Sequence, residues 1–320
     1  MDYLFQKLTD CIKMYDKVVI MTHKNPDLDG MGSSICMHQI VRSLKKEVYV
    51  VLPNKNINTS LNKGLNLLNK NNIHIPFINE EANNLIDDNN LLIILDTRNP
   101  NLVEKKELLQ MKNKIVIDHH QPSSNHIKDT IIEYVDSNKS SVVEIMTNYL
   151  KYLNMKPNHI IATLMLTGME IDTHSYRFKT SDKTFDAASF LSKNGANNNL
   201  KNEIMKVSKQ ELIKNSEYIK QSYFIKEDII ICNMQNIKNT TELAILADRL
   251  LTIENVEIAF TVGKINNTTH ISARSMGNIS ADLIMKKIGG GGHVTDAAAQ
   301  FKNKSIKEVI ELLTNTVLEG

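Results

Sequence analysis

The chain has 320 residues, 42% of them hydrophobic and 23% charged, a composition typical of soluble globular proteins and a length that favours two domains. Its apolar runs fall well short of the roughly 20 residues that span a bilayer, and the charged N-terminal segment lacks the apolar core of a secretory signal. A formal net charge of +2 excludes a global field that would by itself hold long nucleic acid.

The cysteines indicate the compartment in which the protein works. Cys11, Cys36 and Cys232 are odd in number and have no paired spacing, which argues against a disulfide framework and against a thiolate zinc site. Together with the missing secretory signal, this predicts a cytoplasmic protein without a membrane partner.

Four short apolar runs in the first half of the chain alternate with segments of helical period. The runs are KVVIMTH, EVYVVLP, NLLIILDT and NKIVIDHH. This alternation predicts an α/β fold with a doubly wound, mainly parallel sheet. Three of the runs carry histidine or aspartate at or next to their last position, and the carboxyl ends of parallel strands meet at one edge of a sheet. These polar residues are therefore expected to converge there.

The predicted secondary structure changes twice after the last of these runs. Residues of about 140 to 220 have a helical pattern, and the strand-like segments and helices that follow predict a second, smaller α+β domain. We therefore expect a catalytic domain over residues 1–195, a helical connector over 196–222 and a second domain over 223–320. Ser305 and Glu308 form a capping-box pattern for the final helix.

Imidazoles and carboxylates are concentrated at the predicted strand and helix ends. The set consists of His23, Asp27, Asp29, Asp96, Asp118, His119, His120 and Asp172. Each alone has an ordinary structural explanation, such as a turn or a solvated histidine. Together they suit a divalent metal such as Mn²⁺, and they are too numerous for one ion, so two ions that share a bridging carboxylate and activate water for phosphoester hydrolysis are expected.

Four motifs in this order, HKNPDLDGMGS, LDT, VIDHH and GMEIDT, resemble those of the DHH phosphoesterase superfamily. In the second half, ISARS at residues 271–275 and GGGGH at residues 289–293 resemble the DHHA1 substrate-binding domain of that superfamily. The resemblance covers nearly the whole chain. It implies a Mn²⁺-dependent phosphodiesterase with two ions per active site, for which Mg²⁺ or Co²⁺ could substitute.

The resemblance also implies a role for each residue of the polar set. One ion is bound by His23 and Asp27. The other ion is bound by Asp29, His119 and Asp172, and Asp96 bridges the two ions. His120 then contacts or protonates the substrate phosphate, and Asp118 orients its neighbours from behind the ligands.

The glycine run allows two interpretations. Four glycines after a helix can simply form a helix cap and a turn. In the DHHA1 context they let backbone N–H groups approach a phosphate, with His293 as a further donor. The resemblance implies substrate binding by Gly291, Gly292 and His293, together with Ser272 and Arg274 on the preceding strand; Ser275 is a further candidate.

Two substrate classes remain open within the superfamily. The segment RFKTSDKTFDAASFLSKNGA and the four-glycine GGGGHVTDAAAQF resemble the GdpP-type enzymes, which hydrolyse cyclic di-AMP to linear pApA. The alternative is the nanoRNase/pAp phosphatase type, which degrades pApA and very short oligoribonucleotides to mononucleotides. GdpP proteins carry membrane-spanning and sensor segments before the catalytic half, and this chain begins close to its first strand. That start is expected of a stand-alone version or of part of a longer protein.

Other expectations concern partners. A metal-free regulatory binder is disfavoured because every expected ligand is present, and a general single-strand nuclease is disfavoured because no basic stretch with interleaved aromatic residues is evident. The substrate is therefore expected to be a small nucleotide rather than long nucleic acid. A homodimer through the helical segment SSVVEIMTNYLKYL is one option, and packing of that helix in the core is the other.

Overall fold

The computed structural model describes residues 1–54, 57–121 and 125–319, which form two compact units. The first is Met1–Lys206 and the second starts at Val207. The predicted connector, residues 196–222, contains one helix of each unit, and the finer domain limits stay a prediction. Gly320, the last residue of the predicted second domain, lies outside the described residues.

The first unit is built on a six-stranded sheet in which every strand pair is parallel. Its strands are β1 (Lys17–Met21), β2 (Glu47–Val51), β3 (Phe77–Ile78), β4 (Asn90–Leu95), β5 (Lys114–Asp118) and β6 (Ile132–Val135), in the order β3-β2-β1-β4-β5-β6. The order runs in opposite directions from β1 and β4, as in a doubly wound sheet. The predicted fold class is confirmed.

Helices cover one face of this sheet. They are α1 (Asp2–Met14), α2 (Leu28–Ser43), α3 (Thr59–Lys70), α4 (Val142–Tyr152), α5 (His159–Asp172), α6 (Asp182–Lys193) and α7 (Asn198–Met205). Val18 and Ile20 of β1 point to the helices, whereas Val19 and Met21 point to the other face, because side chains alternate along a strand. That other face is covered by loops and the 3₁₀ turns Glu80–Leu85 and Lys106–Gln110, rather than by full α-helices.

Strands β1 and β4 mark the position at which the strand order reverses. The chain leaving β1 continues to β2 in one direction along the sheet, and the chain leaving β4 continues to β5 in the opposite direction. A crevice therefore opens beyond the carboxyl ends of β1 and β4. His23 follows β1 and Asp96 follows β4 directly, which places both at this crevice. The fold therefore brings together residues that are 73 positions apart in sequence.

The second unit has a mixed sheet with the order β11-β12-β10-β9-β8-β7. Its elements are α8 (Lys209–Gln221), β7 (Tyr223–Lys226), β8 (Ile229–Met234), α9 (Thr240–Leu250), β9 (Ile258–Ile265), β10 (Thr268–Ser275), α10 (Ala281–Lys287), β11 (Gly291–Gly292), β12 (Asp296–Lys302) and α11 (Ile306–Leu318). Among the strand pairs in the part of this unit that the structure describes, β8 and β9 are parallel and the others are antiparallel. The predicted capping box of Ser305 and Glu308 is present at the start of α11.

Three further expectations meet the structure here. Cys11, Cys36 and Cys232 are free and buried. Within the described residues, none of the helices has the length and apolarity needed to cross a membrane. Helix α4, considered above as a dimer interface, packs in the core of the first unit, where Ile145 and Leu150 are fully buried.

We expect His38 on α2 to make the stability of the first unit depend on pH. Burial, assisted by repulsion from Arg42 and His74, lowers the pKa of His38 to about 4. An unfolded histidine has a pKa of about 6.5, so between these values the unfolded chain binds a proton that the folded chain does not. The contribution of His38 to stability is therefore complete above about pH 6.5 and is lost as the pH falls towards 4.

We expect His38→Gln to remove this part of the pH dependence. In urea unfolding at several pH values from 7 to 4, the wild type should lose stability relative to His38→Gln as the pH falls. Parallel stability profiles for the two proteins would show that His38 is protonated equally in the folded and unfolded states.

Candidate active site

Seven of the eight predicted polar residues form clusters beyond the carboxyl edge of the parallel sheet, and the eighth, Asp118, bonds to two of them. Three groups of ligand atoms each lie within 4.8 Å of one another. The groups are His23, Asp27 and Asp96; Asp29, His119 and Asp172; and Asp96, His119 and His120. Asp96 and His119 each belong to two groups, so the clusters are contiguous.

The turn between β1 and α2 aims His23 and Asp27 at one point. Asp27 is the N-cap of α2, and its Oδ1 accepts hydrogen bonds from the N–H groups of Asp29 (2.9 Å) and Gly30 (3.1 Å). The Nδ1 atom of His23 lies 2.8 Å from the carbonyl oxygen of Lys24, which can only accept, so Nδ1 carries the proton. The other ring nitrogen, Nε2, faces Asp27 and Asp96.

Asp96 lies between the two histidines in a strained backbone conformation. Its φ angle of +63° is in the left-handed region, which non-glycine residues rarely adopt. Its Oδ2 lies 3.3 Å from His23 Nε2, and its Oδ1 lies 3.3 Å from His119 Nε2. The carboxylate thus faces His23 with one oxygen and His119 with the other, which is the arrangement expected of a bridging ligand.

Helix α5 brings Asp172 to the site because a glycine allows it to approach α2 closely. A Cβ atom at Gly168 would lie 2.3 Å from the carbonyl oxygen of Leu28, in the first turn of α2. Asp172 lies one helical turn after Gly168 and therefore on the same face. Its Oδ2 is 3.0 Å from His119 Nε2.

Asp29 is completely buried and is held by the N-terminus of α4. Its Oδ2 accepts a hydrogen bond from the N–H of Val142 and its Oδ1 accepts one from the N–H of Val143, both at 2.8 Å. These are two of the N–H groups that a helix leaves without an internal partner. Each carboxylate oxygen keeps a second lone pair, and Oδ2 lies 4.0 Å from His119 Nε2.

His120 is the most exposed member, with 44% of its side chain accessible. Its Nδ1 lies 2.7 Å from Asp118 Oδ1, which also accepts the backbone N–H groups of His119 and His120. Asp118 thus fixes the turn after β5 and the orientation of the His120 ring without belonging to any of the three clusters.

Opposite charges in the site stabilise the ionised forms of several side chains that burial would otherwise disfavour. Burial disfavours the imidazolium forms of His23 and His119, but the close carboxylates of the neighbouring aspartates outweigh it and raise both pKa values well above the ordinary value. Burial also disfavours the charged form of Asp96, yet the same histidines hold its pKa well below the usual range. Burial and the nearby carboxylates raise the pKa of Asp29. In this arrangement protons on the imidazoles balance the carboxylates, and a bound cation would replace them.

Two observations indicate that the clusters fit divalent cations. Asp96 Oδ1 and His119 Nε2 are buried and make no hydrogen bond within the described residues, although they lie only 3.3 Å apart. Buried polar atoms without partners are costly, and a cation would satisfy both. A Cβ atom at Gly30 would lie 3.2 Å from Asp96 Oδ2 and 3.5 Å from His23 Nε2, so glycine keeps space open between the ligands. Imidazole and carboxylate donors suit Mn²⁺ and similar ions.

The substrate-binding candidates of the second unit lie on β10, β11 and the loop after it. Arg274 Nε is 3.2 Å from Asp248 Oδ1 and 3.0 Å from Asp296 Oδ1, and its Nη1 is 3.3 Å from Ser272 Oγ. The guanidinium is therefore partly neutralised by two carboxylates. Ser275 is buried, and its hydroxyl donates to the carbonyl of Ile279, so the suggestion that Ser275 holds a phosphate is wrong.

The glycines of the GGGGH run differ in what the fold requires of them. A Cβ atom would lie 2.3 Å from a backbone oxygen of β12 at both Gly290 and Gly292, so packing alone explains these two. Gly289 has a φ of +84°, which favours glycine as the helix ends. Gly291 has neither constraint, since its nearest neighbour would be Asp282 Oδ1 at 3.6 Å. The Oδ1 atom of Asp282 also accepts a hydrogen bond from the N–H of Gly292 at 2.9 Å. His293 follows Gly292 in the sequence.

Comparison with protein families decides the assignment. Residues 17–169 match the N-terminal domain of the DHH family, and residues 226–319 match the DHHA1 domain. The chain belongs to the DHH/DHHA1 family. The first match contains all the cluster residues except Asp172, and the second contains Ser272, Arg274 and the glycine run.

Several known proteins are similar to this DHH/DHHA1 chain. The cyclic-di-AMP phosphodiesterase GdpP of Bacillus subtilis is 33% identical over 98% of this chain and 49% of its own length. The bifunctional oligoribonuclease and PAP phosphatase NrnA of Mycoplasma genitalium is 24% identical over 96% of this chain and 95% of its own. The chain thus spans about half the length of the GdpP relative. An exopolyphosphatase-related protein from Bacteroides fragilis has the same fold, with a TM-score of 0.85, 19% identity and coverage of 99% and 98% of the two chains.

Three features of the DHH site were not predicted from the sequence. Gly30 and Gly168 matter because they lack a Cβ atom, which leaves room for Asp96 and His23 at Gly30 and for the backbone of Leu28 at Gly168. Glu144 is buried beside the site, and its segment was interpreted only as an apolar helix. The spacing of Ser141 and Glu144, which is that of a capping box, was the available signal for a structured helix start at this position.

Proposed function

We propose that this DHH/DHHA1 chain is a two-metal phosphodiesterase that hydrolyses cyclic di-AMP to linear pApA. The observation that carries the proposal is the position of Asp96, which belongs to the group of His23 and Asp27 and lies 3.3 Å from His119 of the group that also contains Asp29 and Asp172. When bound, a pair of divalent cations lowers the pKa of water and neutralises phosphoryl oxygens, which is the chemistry that phosphoester hydrolysis requires.

Different side chains of the site would bind the two cations. His23, Asp27 and Asp96 would hold one cation, and the second would be held by Asp96 together with Asp29, His119 and Asp172. Mn²⁺ is the expected ion, and Mg²⁺ or Co²⁺ could replace it, since the donor set is imidazole and carboxylate.

His120 is the proposed contact to the reacting phosphate. Burial disfavours its charged form, but the hydrogen bond to Asp118 and attraction from Asp96 raise the pKa of His120 above its ordinary value. A protonated imidazole can donate a hydrogen bond to a phosphoryl oxygen or give a proton to the leaving oxygen. Asp118 keeps the ring in the orientation that this role needs.

The DHHA1 domain would hold the nucleotide through Ser272, Arg274, Gly291, Gly292 and His293. A phosphate at Arg274 has to compete with Asp248 and Asp296, which already face its guanidinium. Small nucleotides are the proposed substrates, and the net charge of +2 gives no reason to add long nucleic acid.

The similarity to GdpP supports cyclic di-AMP over the alternative. Identity is 33% with that phosphodiesterase and 24% with the NrnA relative, each over at least 96% of this chain. The alternative function, degradation of pApA and short oligoribonucleotides, is favoured by one observation: the similarity to NrnA extends over 96% of this chain, including both of its domains. Homodimer formation and cytoplasmic location stay predictions.

Product analysis separates the two functions. Purified protein with Mn²⁺ is given cyclic di-AMP, pApA and pAp in separate reactions, and products are resolved by chromatography with Asp96→Ala as the blank. We expect cyclic di-AMP to be consumed first while pApA accumulates. Survival of cyclic di-AMP while pApA or pAp falls to AMP would replace the proposal with the NrnA-type function.

Gly291 offers a test of substrate binding that leaves the fold intact. Gly291→Ala adds a methyl group where the structure has room, so stability should be unchanged. If a phosphate approaches this backbone, the methyl should raise KM by about 10-fold through one lost charge-assisted hydrogen bond. Steady-state kinetics and thermal unfolding measure the two effects.

The neighbouring variant Gly290→Ala is the matched control. Its methyl would meet the backbone oxygen of Ala298 at 2.3 Å, so it should cost about 1–3 kcal/mol of stability. An unchanged KM in folded Gly291→Ala would remove Gly291 from the binding site.

A further inference from the structure

Glu144 is a buried charge that the proposed function leaves without a role. It lies in the first turn of α4 and is 0% exposed. Its Oε2 accepts hydrogen bonds from Ser140 N (3.1 Å), Ser140 Oγ (2.7 Å) and Thr184 Oγ1 (3.0 Å), and its Oε1 lies 3.0 Å from Lys139 Nζ. A buried carboxylate is costly unless it is paired in this way, so the network is a specific structure rather than a solvated helix end.

The network differs from an ordinary helix cap. In a capping box the residue at this position bonds back to the N–H of the N-cap residue, which here is Ser141. Glu144 instead reaches one residue further, to the N–H and hydroxyl of Ser140. It therefore fixes the chain before the helix as well as the helix itself.

Both ends of the fixed segment touch the metal-binding candidates. On one side, the N–H groups of Val142 and Val143 bind the carboxylate of Asp29 at 2.8 Å. On the other side, the carbonyl oxygen of Lys139 lies 3.4 Å from His119 Nδ1. A carbonyl can only accept, so this contact places a proton on Nδ1 and makes Nε2 the ring nitrogen that would bind a cation.

We propose that Glu144 is a positioning residue that fixes Asp29 and His119 relative to each other through the segment Lys139–Val143. The inference rests on the proposed function, since it assigns Glu144 to the cation site formed by Asp29, His119 and Asp172. Partners that orient metal ligands in this manner typically change metal affinity by about 10–100-fold when removed.

Calorimetric titration with Mn²⁺ tests the inference without using activity. Wild type, Glu144→Gln, Ser140→Ala and Thr184→Val are titrated, and the folded fraction of each is determined by circular dichroism. Glu144→Gln places an amide N–H₂ where a carboxylate oxygen stood, and Ser140→Ala removes the 2.7 Å hydrogen bond. Both should weaken one of the two Mn²⁺ sites by about 10-fold per folded molecule and leave the other unchanged.

Thr184→Val is the matched control. Its hydroxyl donates to the same Glu144 oxygen from α6, outside the segment Lys139–Val143, and it also caps α6. It should lower stability while Mn²⁺ affinity stays within about twofold of wild type. Equal affinity in all four proteins, or equal weakening by Thr184→Val, would overturn the inference and leave Glu144 with a purely structural role.

Two further outcomes are separable. If Glu144→Gln fails to fold, Ser140→Ala alone decides, because it retains the buried carboxylate and its ion pair with Lys139. If the wild type binds no Mn²⁺, the proposed function fails first and this inference fails with it.

Discussion

Asp96→Asn is expected to lower phosphodiesterase turnover by about 1,000-fold or more. A neutral amide at the shared ligand position weakens the binding of the cations, which contribute several kcal/mol by stabilising the charge of the transition state. Asparagine has the same size as aspartate and keeps one oxygen, so the fold should remain. Asp96 faces His23 through Oδ2 and His119 through Oδ1, so one substitution affects both clusters. Turnover with Mn²⁺ and cyclic di-AMP, together with calorimetric titration of Mn²⁺, measures the effect.

Asp88→Asn is the control for Asp96→Asn. Asp88 is an exposed aspartate that pairs with Lys112 on the surface, and pairs of that kind contribute little. Its turnover and Mn²⁺ binding should equal those of the wild type. Retention of full turnover by folded Asp96→Asn would show that the two clusters do not share a ligand at Asp96.

Gly168→Ala is expected to destabilise the first unit by about 3 kcal/mol, at the upper end of the range for overpacked cores. The added Cβ atom would lie 2.3 Å from the carbonyl oxygen of Leu28 and 2.8 Å from the amide nitrogen of Asp29. These are backbone atoms, so they cannot move aside as a flexible side chain can, and α5 must separate from α2. Separation would also move Asp172 away from His119, so Mn²⁺ affinity of the folded fraction should fall.

Gly64→Ala provides the comparison for Gly168→Ala. Both glycines are inside helices, but a Cβ atom at Gly64 would meet only the side-chain methyl groups of Leu164 (3.0 Å) and Leu28 (3.2 Å). Alanine is favoured over glycine in a helix by about 1 kcal/mol, which offsets a small rearrangement. Urea unfolding should place Gly64→Ala within about 1 kcal/mol of wild type. Equal stability of the two variants would contradict the close helix contact as the cause.

The parallel sheet and the cluster residues could be predicted because both depend on local pattern and chain order. Short apolar runs that alternate with helical segments define parallel strands, and each of His23, Asp96 and His119 follows a strand at its carboxyl end. Their convergence then follows from the topology. Asp27 and Asp29 are linked to His23 by a single turn.

The remaining features depend on contacts between segments far apart in sequence. Asp96 has a left-handed backbone conformation, and its N–H donates a hydrogen bond to the carbonyl of Ile117 on a different strand. The need for glycine at Gly168 exists only because α2 passes beside it. The pairing of Arg274 with Asp248 requires α9 and β10 to be adjacent, which strand and helix patterns alone do not specify.

Diffraction from crystals of the chain grown with Mn²⁺, with anomalous data collected at the manganese absorption edge, tests the two-cation centre most directly. We expect two anomalous peaks, one beside His23 and Asp27 and the other beside His119 and Asp172, with Asp96 in contact with both. A single peak, or peaks away from these residues, would contradict the central claim that the carboxyl edge of the parallel sheet binds two cations through one shared carboxylate.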